Sequence, residues 1–313
     1  MIQYRPIASN QMIRKGYTYM ENTFISPVAQ AREAYENLTL DEERALYGIR
    51  HADVVGCTFD GPADGESALK EAADVSVTDC NFRLRYPLWH VHGGAMKNCT
   101  LTETCRAALW YAEDMVIEGS NLGGIKALRE CDRMTLAGCT IRSAEFGWLC
   151  RGVEMTDCRM EGEYPFFMTH DLTLKGFRLT GKYSFQYVKN CAISSSILDT
   201  KDAFWHAKNV TVTDSTVKGE YLGWYSEGLT LIRCHIVGTQ PLCYCKNLTL
   251  IDCTMEGCDL SFENSEVNAT VKGFVDSIKS PASGKIEVDR VGEIVYERAP
   301  VDGQRCEIIV REA

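Results

Sequence analysis

The chain repeats itself every nineteen residues. Val210–Val217, VTVTDSTV, returns nineteen positions later as Leu229–Ile236, LTLIRCHI. Taking the small or apolar residue that closes each such phrase as an anchor gives Cys57, Cys80, Cys99, Ser120, Cys139, Cys158, Phe177, Ser196, Ser215, Cys234, Cys253 and Phe274. The steps are 23, 19 and 21, then seven consecutive steps of 19, then 21. Five and three residues before the anchor the chain is apolar (Val153/Met155, Leu172/Leu174, Val210/Val212, Leu229/Leu231), with Thr and other polar types between. Period-two alternation rich in β-branched residues predicts strands with one buried face. Six before the anchor stand Asp114, Gly152, Asp171, Asn190, Asn209, Gly228 and Asn247, types that accept left-handed backbone angles at a corner.

Strands this short, recurring at this period, describe a coil whose turns pair in parallel about 4.8 Å apart. Left-handed hexapeptide coils need multiples of six, which nineteen is not. The expected fold is therefore all-β: a single-stranded right-handed parallel β-helix, or solenoid, of 19-residue turns. The repeat overrides the two-domain expectation from length. An N-terminal cap is expected over residues 1–45, with a short helix-like stretch within Pro27–Gly48, the coil over 46–277, and a C-terminal capping β-hairpin over 278–313. Anchor cysteines, seven in all, should stack as an internal ladder of small buried side chains.

Bulk composition narrows the partners. The 313 residues carry 33 basic and 43 acidic side chains, a formal charge of −10, which argues against backbone binding to nucleic acid. No stretch is long and apolar enough to span a bilayer, and the first twenty residues lack the apolar core of an export signal. Fifteen cysteines, an odd number, without such a signal point to free thiols in a reducing cytoplasm. Cys243 and Cys245 form a CxC pair with no second cluster at zinc-like spacing, so no metal and no cofactor are expected.

Between the strands the turns align into columns. Eight after the anchor, or at the register the insertions demand, stand Leu69, Leu88, Leu109, Leu128, Phe166, Phe185, Phe204 and Leu242, a core column. The next column reads Trp89, Trp110, Arg129, Trp148, Phe167, Gln186, Trp205, Trp224, and holds every tryptophan of the chain. Charged and amide groups among the rings imply a water-accessible face, and aromatic surfaces rimmed by polar groups mark binding sites or oligomer contacts. One position on come Glu71, His90, Tyr111 and Glu130 on consecutive turns, about 5 Å apart at the backbone. A His flanked by a carboxylate and a phenol can take and give protons near neutral pH.

Neighbouring columns supply Arg85, Arg106, Lys126, Glu163 and Tyr164; Arg83, Arg85, Arg106, Lys126 and Arg129 make the early turns basic in an acidic chain. Guanidinium groups beside indole rings suit a small anionic sugar of the uronic-acid type. Neutralising its carboxylate acidifies the adjacent C–H, the logic of a lyase or isomerase that abstracts a proton. Asp202, Trp205, His206 and Tyr225 repeat the pattern more weakly, and Glu145 and Glu163 on adjacent turns have the closeness a retaining glycosidase uses. A planar polyphenol is the alternative substrate, and a non-catalytic ligand- or protein-binding scaffold the alternative class.

The phrases RLRYPLWHV (Arg83–Val91), ETCRAALWY (Glu103–Tyr111), GIKALREC (Gly124–Cys131), KYSFQYVKN (Lys182–Asn190), DTKDAFWHAKNV (Asp199–Val210) and GEYLGWYS (Gly219–Ser226) resemble the bacterial family labelled domain of unknown function 3737, over roughly Glu43 to Gly284. The resemblance implies a pectin-lyase-like right-handed β-helix and brings no activity with it. The NTD, DD and GHG signatures of polygalacturonase-like β-helices are absent, so fold analogy supplies no reaction.

Overall fold

A computed structural model describes residues 31–61, 66–297 and 306–311. They form a parallel β-solenoid of about 14 turns. Most turns contribute a six-residue strand and a shorter one, as in Asp132–Ala137 followed by Thr140–Arg142. The first kind pairs in parallel with its equivalents in the turns on either side, Met134 lying against Met115 and Val153. The second kind does the same, Ile141 lying against Leu122 and Met160. Two sheets thus climb the coil, and the alternating apolar residues of both fill its interior.

The corners are made as the Asn/Asp/Gly pattern predicts. Asp114, Asp171, Asn190, Asn209 and Asn247 all have φ between 50° and 55°. Asparagines there also bond along the column, Asn190 Nδ2 donating to Asp171 Oδ1 at 2.9 Å. A second corner falls immediately before the anchor, where Asp79, Asn98, Asp157 and Asp214 are left-handed too.

That second corner explains the anchors. The backbone N–H after it receives an acceptor from the next turn's anchor side chain. Cys139 N–H donates to Cys158 Sγ at 3.4 Å, Cys99 N–H to Ser120 Oγ at 3.0 Å, and Ser196 N–H to Ser215 Oγ at 3.0 Å. The anchor side chain then donates to the carbonyl two residues before it, as Ser215 Oγ does to Thr213 at 2.8 Å. Ser and Cys alternate in the column because both are small and both can donate and accept. Replacing Cys158 by Ala would orphan the buried Cys139 N–H and is expected to cost about 1–3 kcal/mol, whereas Cys158→Ser keeps the acceptor. Urea unfolding of the two variants checks this, and equal losses would leave packing alone as the reason for the column.

All fifteen cysteines are buried free thiols. Burial pushes Cys191 up, and Cys245 up to about 11. The CxC thiols are spent on carbonyls, Cys245 Sγ on that of Gly223 at 3.1 Å.

The third side of each turn closes the triangle without regular strand. Every second residue there is left-handed, as in Tyr183, Phe185 and Tyr187, with φ of 58°, 60° and 58°. Alternation sends successive N–H groups in opposite directions along the coil: Phe185 N–H donates to Pro165 of the turn before at 2.9 Å, Tyr187 N–H to Trp205 of the turn after at 2.9 Å. A left-handed residue costs a non-glycine side chain about 1–2 kcal/mol, and these interturn bonds keep the conformation in place.

Several boundaries differ from expectation. The helix-like stretch falls partly outside the described residues; within them Glu33–Glu36 and Thr39–Leu40 are strands that already pair with the next turn, Glu33 against Ala52. Among the described residues the coil is therefore already present at Glu33. Among the described residues the only helical segment is a 3-10 turn at Glu103–Cys105, which takes up the two extra residues of the 21-residue step. Phe274 is not an anchor: it is 45% exposed, and Val271, fully buried, faces Cys253 across a register shift. The expected C-terminal hairpin is also replaced. Glu266–Lys279 and Ser283–Val295 pair in parallel, as do Ser283–Val295 and Glu307–Val310, so the last described segments continue the coil with longer strands. Alternation specifies a strand and its buried face but not the direction of its partner.

Candidate functional site

The third side bears the predicted columns. Leu69, Leu88, Leu109, Leu128, Phe166, Phe185, Phe204 and Leu242 have no exposed surface, as a core column requires. Glu71, His90, Tyr111 and Glu130 stand on consecutive turns, each N–H donating to the following turn: Glu71 to Trp89 at 2.9 Å, His90 to Trp110 at 2.9 Å, Tyr111 to Arg129 at 3.1 Å, Glu130 to Trp148 at 2.8 Å. Their left-handed φ is shared by Leu149, Met168 and Tyr225 in the same column, so it belongs to the coil and not to the chemistry. The His90 ring packs on Tyr111, centroids 4.9 Å apart. Glu130 accepts from the Trp110 indole at 3.3 Å and from Arg129 at 3.4 Å.

The tryptophan column is tied into the backbone. Trp89, Trp148, Trp205 and Trp224 each donate their indole N–H to a main-chain carbonyl of the following turn, at 2.6, 2.6, 2.8 and 2.8 Å. Trp205 and Trp224 stack within 6° of parallel. Arg129 lies between Trp110 and Trp148, 5.1 Å from each ring, and pairs with Glu145 at 3.6 Å. Phe167 packs on Trp148 at 5.1 Å, and Gln186 is half-buried on the next turn. Outside this column Tyr187, His206, Tyr225 and Tyr244 stack over four turns, at 5.0, 5.1 and 4.9 Å. Rings stacked along the coil cover one another's faces, so their edges and polar rims meet the solvent.

The basic residues are largely paired: Arg85 with Glu66 at 3.5 Å, Lys126 with Glu145 at 3.5 Å, Lys182 with Glu163 at 3.1 Å. Arg106 is exposed beside them. Among the described residues no three His, Cys, Asp or Glu converge.

What the column reading left out is a groove. Where each second strand turns onto the third side, glycine recurs four after the anchor. A methyl at Gly181 would lie 1.9 Å from the Gly162 carbonyl oxygen, so only glycine allows the turns to approach there. Four depressions follow this line, of about 480 Å³ (Thr100, Glu103, Asn121, Arg142), 420 Å³ (Arg159, Glu161, Arg178), 540 Å³ (Glu163, Gly162, Lys182) and 470 Å³ (Asp199, Lys201, Lys218, Glu220). Successive ones share Arg142, Thr180 or Gly181, which joins them into one open groove from Thr100 to Gly238. Opposite charges on adjacent turns pair along its walls, Arg142–Glu161 at 3.7 Å, Lys218–Asp199 at 3.3 Å and Lys201–Glu220 at 3.8 Å. The signal in the sequence is a repeated phrase, Gly-(Glu/Lys)-Tyr, at Gly162–Tyr164, Gly181–Tyr183 and Gly219–Tyr221.

Comparison with known proteins adds a family and little more. No curated protein matches the chain. Among solved structures, QnrB1, a plasmid-mediated fluoroquinolone resistance protein, is 12% identical over 76% of this chain and 92% of its own, with a TM-score of 0.20. PfbA, a surface adhesin of Streptococcus pneumoniae, is 12% identical over 87% and 72%, with a TM-score of 0.29. The periplasmic alginate epimerase AlgG is 7% identical over 82% and 77%, with a TM-score of 0.27. Likenesses at this level carry no argument about what this chain does. Residues 33–309 match one family throughout, and the chain belongs to it: Protein of unknown function (DUF3737).

Proposed function

We propose that the protein is a carbohydrate-active β-helix protein that receives an acidic, uronic-acid-type sugar chain lengthwise in the groove and acts on it by proton abstraction. The observation that carries this reading is the groove's continuity across eight turns, with oppositely charged pairs along its walls. At about 4.8 Å per turn it is roughly 40 Å long and open along its length, a shape for a linear polymer. Lysines at Lys182, Lys201 and Lys218 can exchange their exposed protein partners for ligand carboxylates at small cost, because exposed pairs hold each other by about 1 kcal/mol or less. Exposed rims at Tyr187 and Tyr225 offer hydroxyls to sugar hydroxyls alongside.

Calorimetry with uronate oligomers of increasing length tests the reading. Affinity should rise with length, and the double substitution Lys182→Ala, Lys201→Ala should weaken binding about tenfold, an effect that shrinks in high salt. Binding that ignores length and both lysines would sink it.

A further inference from the structure

The Gly-(Glu/Lys)-Tyr phrase that builds the groove wall breaks at one turn. Between Gly181-Lys182-Tyr183 and Gly219-Glu220-Tyr221 the chain reads Thr200-Lys201-Asp202. Thr200 keeps the fold's requirement by turning inward, its hydroxyl 2.7 Å from that of Ser184. Asp202 does the opposite of what packing prefers. It stands in a column where Tyr164 and Tyr183 stack at 4.7 Å, and it is only 6% exposed. Among the described residues its carboxylate makes no hydrogen bond or ion pair, yet its oxygens are not sealed from solvent. An unpaired carboxylate in that position costs stability that a tyrosine would not.

Its neighbours are charged and border the groove. Lys201 and Glu220 line the neighbouring depression of the groove and act on Asp202 electrostatically. Backbone bonds fix the adjacent turns, Tyr183 N–H to Lys201 at 2.8 Å and Asp202 N–H to Glu220 at 2.8 Å. Lys182 lies 5.5 Å from the Tyr183 ring centre.

We infer that Asp202 is the catalytic base of the groove, removing the proton beside the carboxylate of a uronic-acid residue held by Lys182 and Lys201, with Tyr183 as the acid. The inference rests on the sugar-binding reading above and names the reacting groups within it. The C5–H proton passes to the Asp202 carboxylate, and the C–H electron pair becomes the C4=C5 double bond. The C4–O4 bond breaks with its pair on oxygen, which takes the Tyr183 hydroxyl proton; water then reprotonates the phenolate and deprotonates Asp202. Burial raises the proton affinity of Asp202, Glu220 adds to it and Lys201 opposes it, making it a stronger base than an ordinary aspartate.

The test uses the whole chain with oligomeric galacturonate, mannuronate, guluronate and glucuronate-containing sugars. Calorimetry reads binding, and the ultraviolet absorbance of the conjugated product reads turnover. One sugar class should bind and be cleaved, at a rate rising with pH through the titration of Asp202. Asp202→Asn should bind within about threefold and lose at least about 100-fold in rate. It should melt no lower than the parent chain, since it removes a buried unpaired charge. Tyr183→Phe should lower kcat more than KM. Binding without an unsaturated product, or full turnover by Asp202→Asn, would overturn the inference and leave the binding reading standing. No binding by any of the sugars would remove the reading itself, and the inference with it.

Discussion

Phe185→Ala is expected to destabilise the coil by about 3–5 kcal/mol, lowering the thermal midpoint by roughly 6–20 °C. Phe185 is fully buried and stacks on Phe166 at 5.3 Å and on Phe204 at 4.9 Å, both rings within 13° of its own plane. Removing the middle ring empties space bounded on both sides by aromatic faces. The backbone there cannot sink to fill it, because Phe185 bonds to the turn before and Tyr187 to the turn after. The loss should be local, since each coil turn contacts only its neighbours, and hydrogen exchange should quicken first in residues around 160–210. Phe274→Ala is the control: at 45% exposure it should change stability by about 0.5 kcal/mol or less. Equal midpoints for the two variants would show that the phenylalanine stack does not carry the coil.

The second large effect is at the groove floor. A Cβ at Gly181 would meet the Gly162 carbonyl oxygen at 1.9 Å, a main-chain atom that cannot rotate aside. Gly181→Ala must therefore push two turns apart, and a loss of about 3 kcal/mol or more is expected. Gly138→Ala separates this collision from simple backbone preference. Its φ is 61° but nothing lies within 4 Å of the added methyl, so it should cost only about 1–2 kcal/mol. Because Gly181 also lines the groove, its substitution should weaken uronate binding, whereas Gly138→Ala should leave binding unchanged. Chemical unfolding and calorimetry on both proteins check this; a Gly181→Ala protein as stable as Gly138→Ala would mean that the turns have room to spare.

The candidate site was legible in the sequence as columns and not as contacts. The register that sets Glu71, His90, Tyr111 and Glu130 on successive turns follows from counting nineteen, and the backbone bonds follow it. Counting cannot say that Trp205 and Trp224 lie flat on each other, or that four indole N–H groups end on carbonyls. Those outcomes depend on side-chain torsions, which a one-dimensional pattern does not contain. The groove was missed for a related reason. Its glycines were visible, but their meaning is a distance between main chains of adjacent turns. Asp202 is the instructive residue: the columns marked it beside Trp205, His206 and Tyr225, but only once Gly162–Tyr164, Gly181–Tyr183 and Gly219–Tyr221 are seen to build one wall does it stand out as the break in that wall.

By itself the sequence determined the coil, its period, its core columns and its left-handed corners. Each of these is written in local preference: alternation for a buried face, Asn, Asp or Gly for a positive φ, a small donor-acceptor side chain at the anchor. Only the tertiary structure decided that the last strands run parallel, that Val271 and not Phe274 faces Cys253, and that most basic groups of the early turns meet an acidic partner. These are relations between residues about one turn apart in the chain and about 5 Å apart in space. No local preference encodes them, because both partners must be placed before either contact exists.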